Sequence, residues 1–144
     1  MKRFNFKMEK VLKLRKFSEE QAKIELGKAI GFLTGIENQI NNNARTRYNA
    51  ANSRFSSVND IISWDLFISR LDKEKEKLLE EAAKAELIVE EKRSLFLEAS
   101  RDLKVMEKLK DKEKDAYKKE YNAEEVKMLD DQFRRSEQWS VGRG

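Results

Sequence analysis

The sequence predicts an all-α protein, an antiparallel two-helix coiled-coil hairpin whose second helix is the longer. Three observations carry that expectation. The 144 residues contain no proline; average usage would place about seven in such a length, and each would stop or kink a helix. Charged residues make up 40% and apolar residues 39%, a balance that suits long helices sharing a narrow seam better than a thick globular core. The apolar positions step by alternating fours and threes, the heptad rhythm of a coiled coil.

Helix one is expected over about residues 6–57. Its clean seam is Ala22, Leu26, Ala29, Leu33, Ile36 and Ile40. A second stretch reads Ala44, Tyr48, Ala51, Phe55, Val58 and Ile62. Two fours in a row join the stretches, which reads as a stutter at Asn41-Asn42-Asn43, a step that locally unwinds a supercoil. The bend is expected near residues 56–63, where Ser56-Ser57-Val58-Asn59-Asp60 favours turns and caps. Ser63 then reads as the N-cap of helix two, with Asp65 in its first turn.

Helix two is expected over about residues 64–137. Its seam is Leu71, Lys75, Leu78, Ala82, Ala85, Val89, Lys92, Phe96, Ala99, Leu103 and Met106. The two lysines interrupt the apolar row, and their stems can cover apolar surface while the ammonium stays in water. One domain is expected over residues 1–144, with a disordered tail at about 138–144.

The unequal helices have a consequence. With the hairpin centred near residue 61, position i faces roughly 122 − i, so Phe6 lies near Ala116. About twenty residues of helix two then extend past helix one, at 1.5 Å of rise per residue. In that overhang Val126, Leu129 and Phe133 form an apolar stripe without a partner in the chain, which reads as a docking edge for another protein. Gly27, Gly31 and Gly35 step by four in helix one, a spacing that admits close backbone packing or deliberate flexibility, since each glycine costs about 0.8–1 kcal/mol against alanine.

Charge is uneven. Residues 1–16 carry seven basic side chains against Glu9, and the remaining surface is mixed in sign. Such an end can meet phosphate, a membrane surface or an acidic protein pocket. A dedicated nucleic-acid binder would carry a longer basic stripe with stacking aromatics, so no nucleic-acid partner is expected. Absence of His and Cys removes the usual zinc sites, thiol nucleophiles, Ser-His-Asp triads and His acid–base chemistry. No Gly-rich turn precedes a Lys-Ser or Lys-Thr pair, and carboxylate pairs on a solvated helix lack the cleft that tunes them. No catalytic residue, cofactor or metal is therefore expected, and the chain reads as a lever, spacer, stalk or adaptor rather than an enzyme. Apolar runs are too short for a membrane span, the basic start lacks a signal-peptide core, and a cytoplasmic protein is expected.

Three segments in order then resemble the FliJ family, the small coiled-coil component of the bacterial flagellar type III export apparatus. They are Phe4-x-Phe6-x-Met8-Glu9-Lys10-Val11-Leu12-x-Leu14-Arg15 with Glu19-Glu20-Gln21-Ala22, Trp64-x-x-Phe67-Ile68-x-x-Leu71, and Lys127-x-Leu129-Asp130-Asp131-x-x-x-Arg135. Asp-Glu is commoner in the family where this chain has Asp130-Asp131.

The resemblance implies an antiparallel coiled coil like the stalk of rotary ATPases. It implies that the paired helix ends enter the centre of the hexameric export ATPase FliI and promote its assembly and activity. It further implies contact with the cytoplasmic domain of the export gate protein FlhA, escort of export chaperones, and a peripheral place at the cytoplasmic face of the inner membrane, at the flagellar basal body. Candidate ATPase-facing residues are Lys10, Lys13, Arg15, Asp130, Arg134 and Arg135. Phe67 and Leu71 match family positions associated with gate contact, and Trp64 is expected to pack in the elbow. The alternatives are the stalk protein of a virulence-type III secretion system and a general coiled-coil chaperone.

Overall fold

The computed structural model describes residues 3–142, with side chains through Gln138. Most of the tail expected to be disordered, 138–144, lies outside the described side chains. The described chain is two helices, α1 (Glu9–Ala51) and α2 (Val58–Gly142), with no strand. They pack against each other as an antiparallel hairpin, and α2 is the longer, at 85 residues against 43.

The break falls at residues 52–57, at the early edge of the expected bend. Ser63 lies inside α2 and caps nothing; Ser57 takes that place. Its Oγ accepts from the Asp60 amide at 3.3 Å. Asp60 Oδ2 accepts from the Ser56 amide at 3.2 Å and from the Ser56 hydroxyl at 2.6 Å. The Asp60 amide is one of the donors that a helix start leaves orphaned, and the Ser57 hydroxyl satisfies it. The Ser56 hydroxyl, followed by its amide, lowers the Asp60 carboxyl below the ordinary 3.8. A carboxyl lowered on folding adds stability above its unfolded value, and that stability is lost as pH falls through the folded value. In an NMR titration the Asp60 carboxyl is therefore expected to protonate below pH 3.8. A Ser56→Ala variant should return its midpoint toward the ordinary value; an unmoved midpoint would remove the hydroxyl as the cause.

The chain forms two compact units. One comprises Ser18–Ala99 and the other Met1–Phe17 with Ser100–Gly144. In the first, Ile36, Leu78, Ala82 and Ala85 are buried together, with Leu33 and Ile40 packed on them. In the second, Phe6, Leu12, Leu103 and Met106 form the core, with Phe4, Val11 and Leu109 against it. Residues 3–8 precede α1 without being helical, and Phe6 reaches the core from that segment. Across this seam Lys110 meets Glu9 at 3.0 Å and Arg15 meets Asp102 at 3.6 Å. The earlier loop moves partners toward it: Arg15 faces Asp102 rather than Glu107, where pairing about residue 61 would put it.

The seam of α2 follows the sequence pattern closely, with Leu71, Leu78, Ala82, Ala85, Val89, Leu103 and Met106 all buried. The seam of α1 follows it as far as Ile40 and then departs. Asn43 is buried, whereas Ala44, Tyr48 and Ala51 are exposed. The 4-3 rhythm thus continues from Ile36 and Ile40 into Asn43, and there is no stutter. The polar residue holds the place in the seam that apolar counting assigned to Ala44.

The glycine stripe has a plain outcome. A Cβ built on Gly27, Gly31 or Gly35 meets nothing within 4 Å. Among the described residues, no close neighbour packs on these glycines. Each Gly→Ala change is expected to raise helix stability by about 0.8–1 kcal/mol, read as a higher melting temperature. A drop would mean that the glycines face a contact formed in solution.

Candidate docking surfaces

In the Ser18–Ala99 unit the elbow is built by polar bonds across the two helices. Asn43 Nδ2 donates to the Leu71 carbonyl at 3.0 Å. Trp64 Nε1 donates to the Ala50 carbonyl at 2.7 Å, and Arg47 Nε meets Asp72 at 3.0 Å. Phe55 stands edge-on to Trp64 with ring centroids 5.5 Å apart. Trp64 is half-buried. Its indole N–H binds the last turn of α1, so the elbow closes on this side chain.

Two grooves flank Asn43. One, of about 310 Å³, brings Phe67 and Leu71 of α2 together with Gln39, Asn42 and Thr46 of α1. Within it the two side chains differ. Phe67 is 39% exposed, whereas Leu71 is 7% exposed and belongs to the seam. The other groove, of about 380 Å³, sets Tyr48, Trp64 and Ile68 beside Arg47 and Lys75. The family resemblance singles out Phe67 and Leu71 but not the α1 residues that line the groove with them. The signal was present at Asn43, a polar residue at the next seam step after Ile36 and Ile40.

In the other unit, Lys10, Lys13 and Arg15 lie on the exposed surface of α1, with Arg15 paired to Asp102. Phe4 packs on Tyr117 at 5.5 Å, and Tyr117 stacks on Tyr121 at 6.4 Å. The Glu125 carboxylate, one turn on, accepts from the Tyr121 hydroxyl and raises that phenol above its ordinary value. From Lys118 to Gln138 every residue of α2 is exposed. Val126, Leu129 and Phe133 are 58%, 64% and 65% exposed. Asp130, Arg134 and Arg135 share that stretch, also exposed. The α1 cations and this α2 stretch belong to the same unit.

No helix of the described residues is long and apolar enough to cross a membrane. No individual curated protein and no solved structure gives a significant match to the chain. The family model for the flagellar FliJ protein, by contrast, matches residues 4–138. That span takes in Phe4 and Phe6 before α1, the elbow, and the exposed part of α2 through Gln138. A match of this extent, on a two-helix hairpin, shows that the chain belongs to the FliJ family and is a component of the flagellar export apparatus.

Proposed function

We propose that this chain is the stalk of the export apparatus, engaging the hexameric export ATPase FliI at its centre and promoting its assembly and activity. The observation that carries this reading is the exposed stretch of α2 from Lys118 to Gln138. It presents Val126, Leu129 and Phe133 to solvent beside Asp130, Arg134 and Arg135. Apolar side chains at i, i+3 and i+7 make one face of a helix. A helix with such a face and no intrachain cover suits insertion into a protein groove. Lys10, Lys13 and Arg15 supply charge for the grip. The chain acts by contact and performs no chemistry of its own.

The elbow groove with Phe67 and Leu71 serves as the contact for the cytoplasmic domain of the gate protein FlhA. Through these two sites the chain couples the ATPase to the gate at the cytoplasmic face of the inner membrane. It also helps to escort export chaperones.

The test is the ATP hydrolysis rate of the same organism's export ATPase, with and without this protein, across ATPase concentration. Stimulation strongest at low ATPase concentration supports a stalk that nucleates or locks the ring. No effect at any concentration removes the ATPase from the mechanism and leaves the gate contact.

A further inference from the structure

Asn43 is the single buried polar side chain among the described residues, at 5% exposure. Its Nδ2 reaches the Leu71 carbonyl, an oxygen that also serves α2's own ladder and has a second lone pair to offer. Its Oδ1 is buried and accepts no hydrogen bond. The amide is therefore satisfied on one side only. Fixing register is the best-attested use of a buried polar group in a helical seam.

The apolar rows around it do not fix register by themselves. On α2 the seam repeats at Leu71, Lys75, Leu78, Ala82, Ala85 and Val89. Sliding α2 by one helical turn sets each α1 row against the next α2 row, with Ile36 facing Ala82 instead of Leu78. Ala82 and Ala85 offer small side chains to α1 in either setting. In the neighbouring setting the residue beside Asn43 is Lys75, one turn beyond Leu71. Lys75 already lines the groove that Asn43 lines, and its ammonium has three donors and no acceptor, the complement of the unpaired Oδ1.

We propose that Asn43 selects between two antiparallel registers of the Ser18–Ala99 unit, one helical turn apart. It holds the observed register through the Leu71 carbonyl and the alternate one through Lys75. A one-turn ratchet of one helix past another is an established mode of switching. Here it would also remodel the Phe67 groove, because Gln39, Asn42 and Thr46 line that groove from α1.

The chain contains no cysteine, so cysteines placed at the exposed Glu37 and Glu98 carry spin labels uniquely. Both sites lie in the Ser18–Ala99 unit. In the full chain with Asn43 intact, one main interspin distance is expected. Asn43→Asp loses the donor to the Leu71 carbonyl and gains an anion for Lys75, so its main distance should shorten by about 6 Å, four residues of rise. Adding Lys75→Leu removes that partner as well and should leave both distances populated. Asn43→Leu removes both of the amide's preferences and should add the second distance beside the first. An unchanged single distance in both Asn43→Asp and Asn43→Leu overturns the proposal. So does loss of helicity in both, because the amide would then hold the fold rather than choose between settings.

Discussion

Phe67→Ala is expected to weaken binding of the FlhA cytoplasmic domain about thirtyfold with no loss of helical content, whereas Leu71→Ala is expected to destabilise the hairpin itself. The two residues share one groove but not one environment. Phe67 keeps 39% of its surface in water, so its ring has area left to bury against a partner. Truncating an aromatic anchor at a hot spot costs about 2 kcal/mol or more of binding, which is the thirtyfold. Leu71 is in the seam at 7% exposure, and removing a buried leucine side chain costs about 2–5 kcal/mol in a well-packed core. The low end suits a two-helix seam. Calorimetric titration with the gate domain reads the first effect, and thermal melts followed by circular dichroism read the second. A melting temperature lowered by Phe67→Ala would place that ring in the core. Unaltered gate binding by Phe67→Ala would take the groove out of the coupling mechanism.

Removing residues 124–144 is expected to abolish stimulation of the export ATPase while the rest of the hairpin melts as before. Neither cluster of buried side chains includes a residue beyond Leu109, so no core contact is lost. What is lost is the apolar face of Val126, Leu129 and Phe133, together with Asp130, Arg134 and Arg135. A narrower variant, Leu129→Ala with Phe133→Ala, should give most of the same loss, because it removes the stripe and keeps the charges. Stimulation that survives the deletion would remove this end of α2 from the mechanism and leave Lys10, Lys13 and Arg15 as the ATPase contact.

Much of the fold was legible because a coiled coil writes its packing into one dimension. The steps from Leu71 through Met106 name the buried face of α2, since every seam residue serves a partner that repeats with the same period. Reading failed where a polar residue took an apolar position. Counting apolar letters led from Ile40 to Ala44 and invented a stutter; the chain keeps rhythm through Asn43 because its amide finds the Leu71 carbonyl. The sequence puts the bend late for a related reason. Two serines and an aspartate in one run offer several possible caps, and only the bonds among Ser56, Ser57 and Asp60 decide which one closes the helix start. Of the candidate groove, Phe67 is marked in the sequence by the family resemblance, but Thr46 and Gln39 carry no signal of their own, being ordinary polar letters until the fold sets them beside it.

The stretch from Lys118 to Gln138 draws nothing from burial, so its helix rests on backbone propensity and local side-chain pairs alone. Most helical stability in proteins comes from packing an apolar face, and this stretch lacks that packing. Its amides should exchange with solvent deuterium orders of magnitude faster than those near Leu12 and Leu103, which open only with the core around them. Any partner that grips this stretch must also freeze it, and that ordering subtracts from the contact energy it collects. Affinity at this end should therefore respond to substitutions that never touch the partner. An alanine on the solvent side of the stretch would tighten the grip by making the helix ready beforehand, and a glycine there would loosen it.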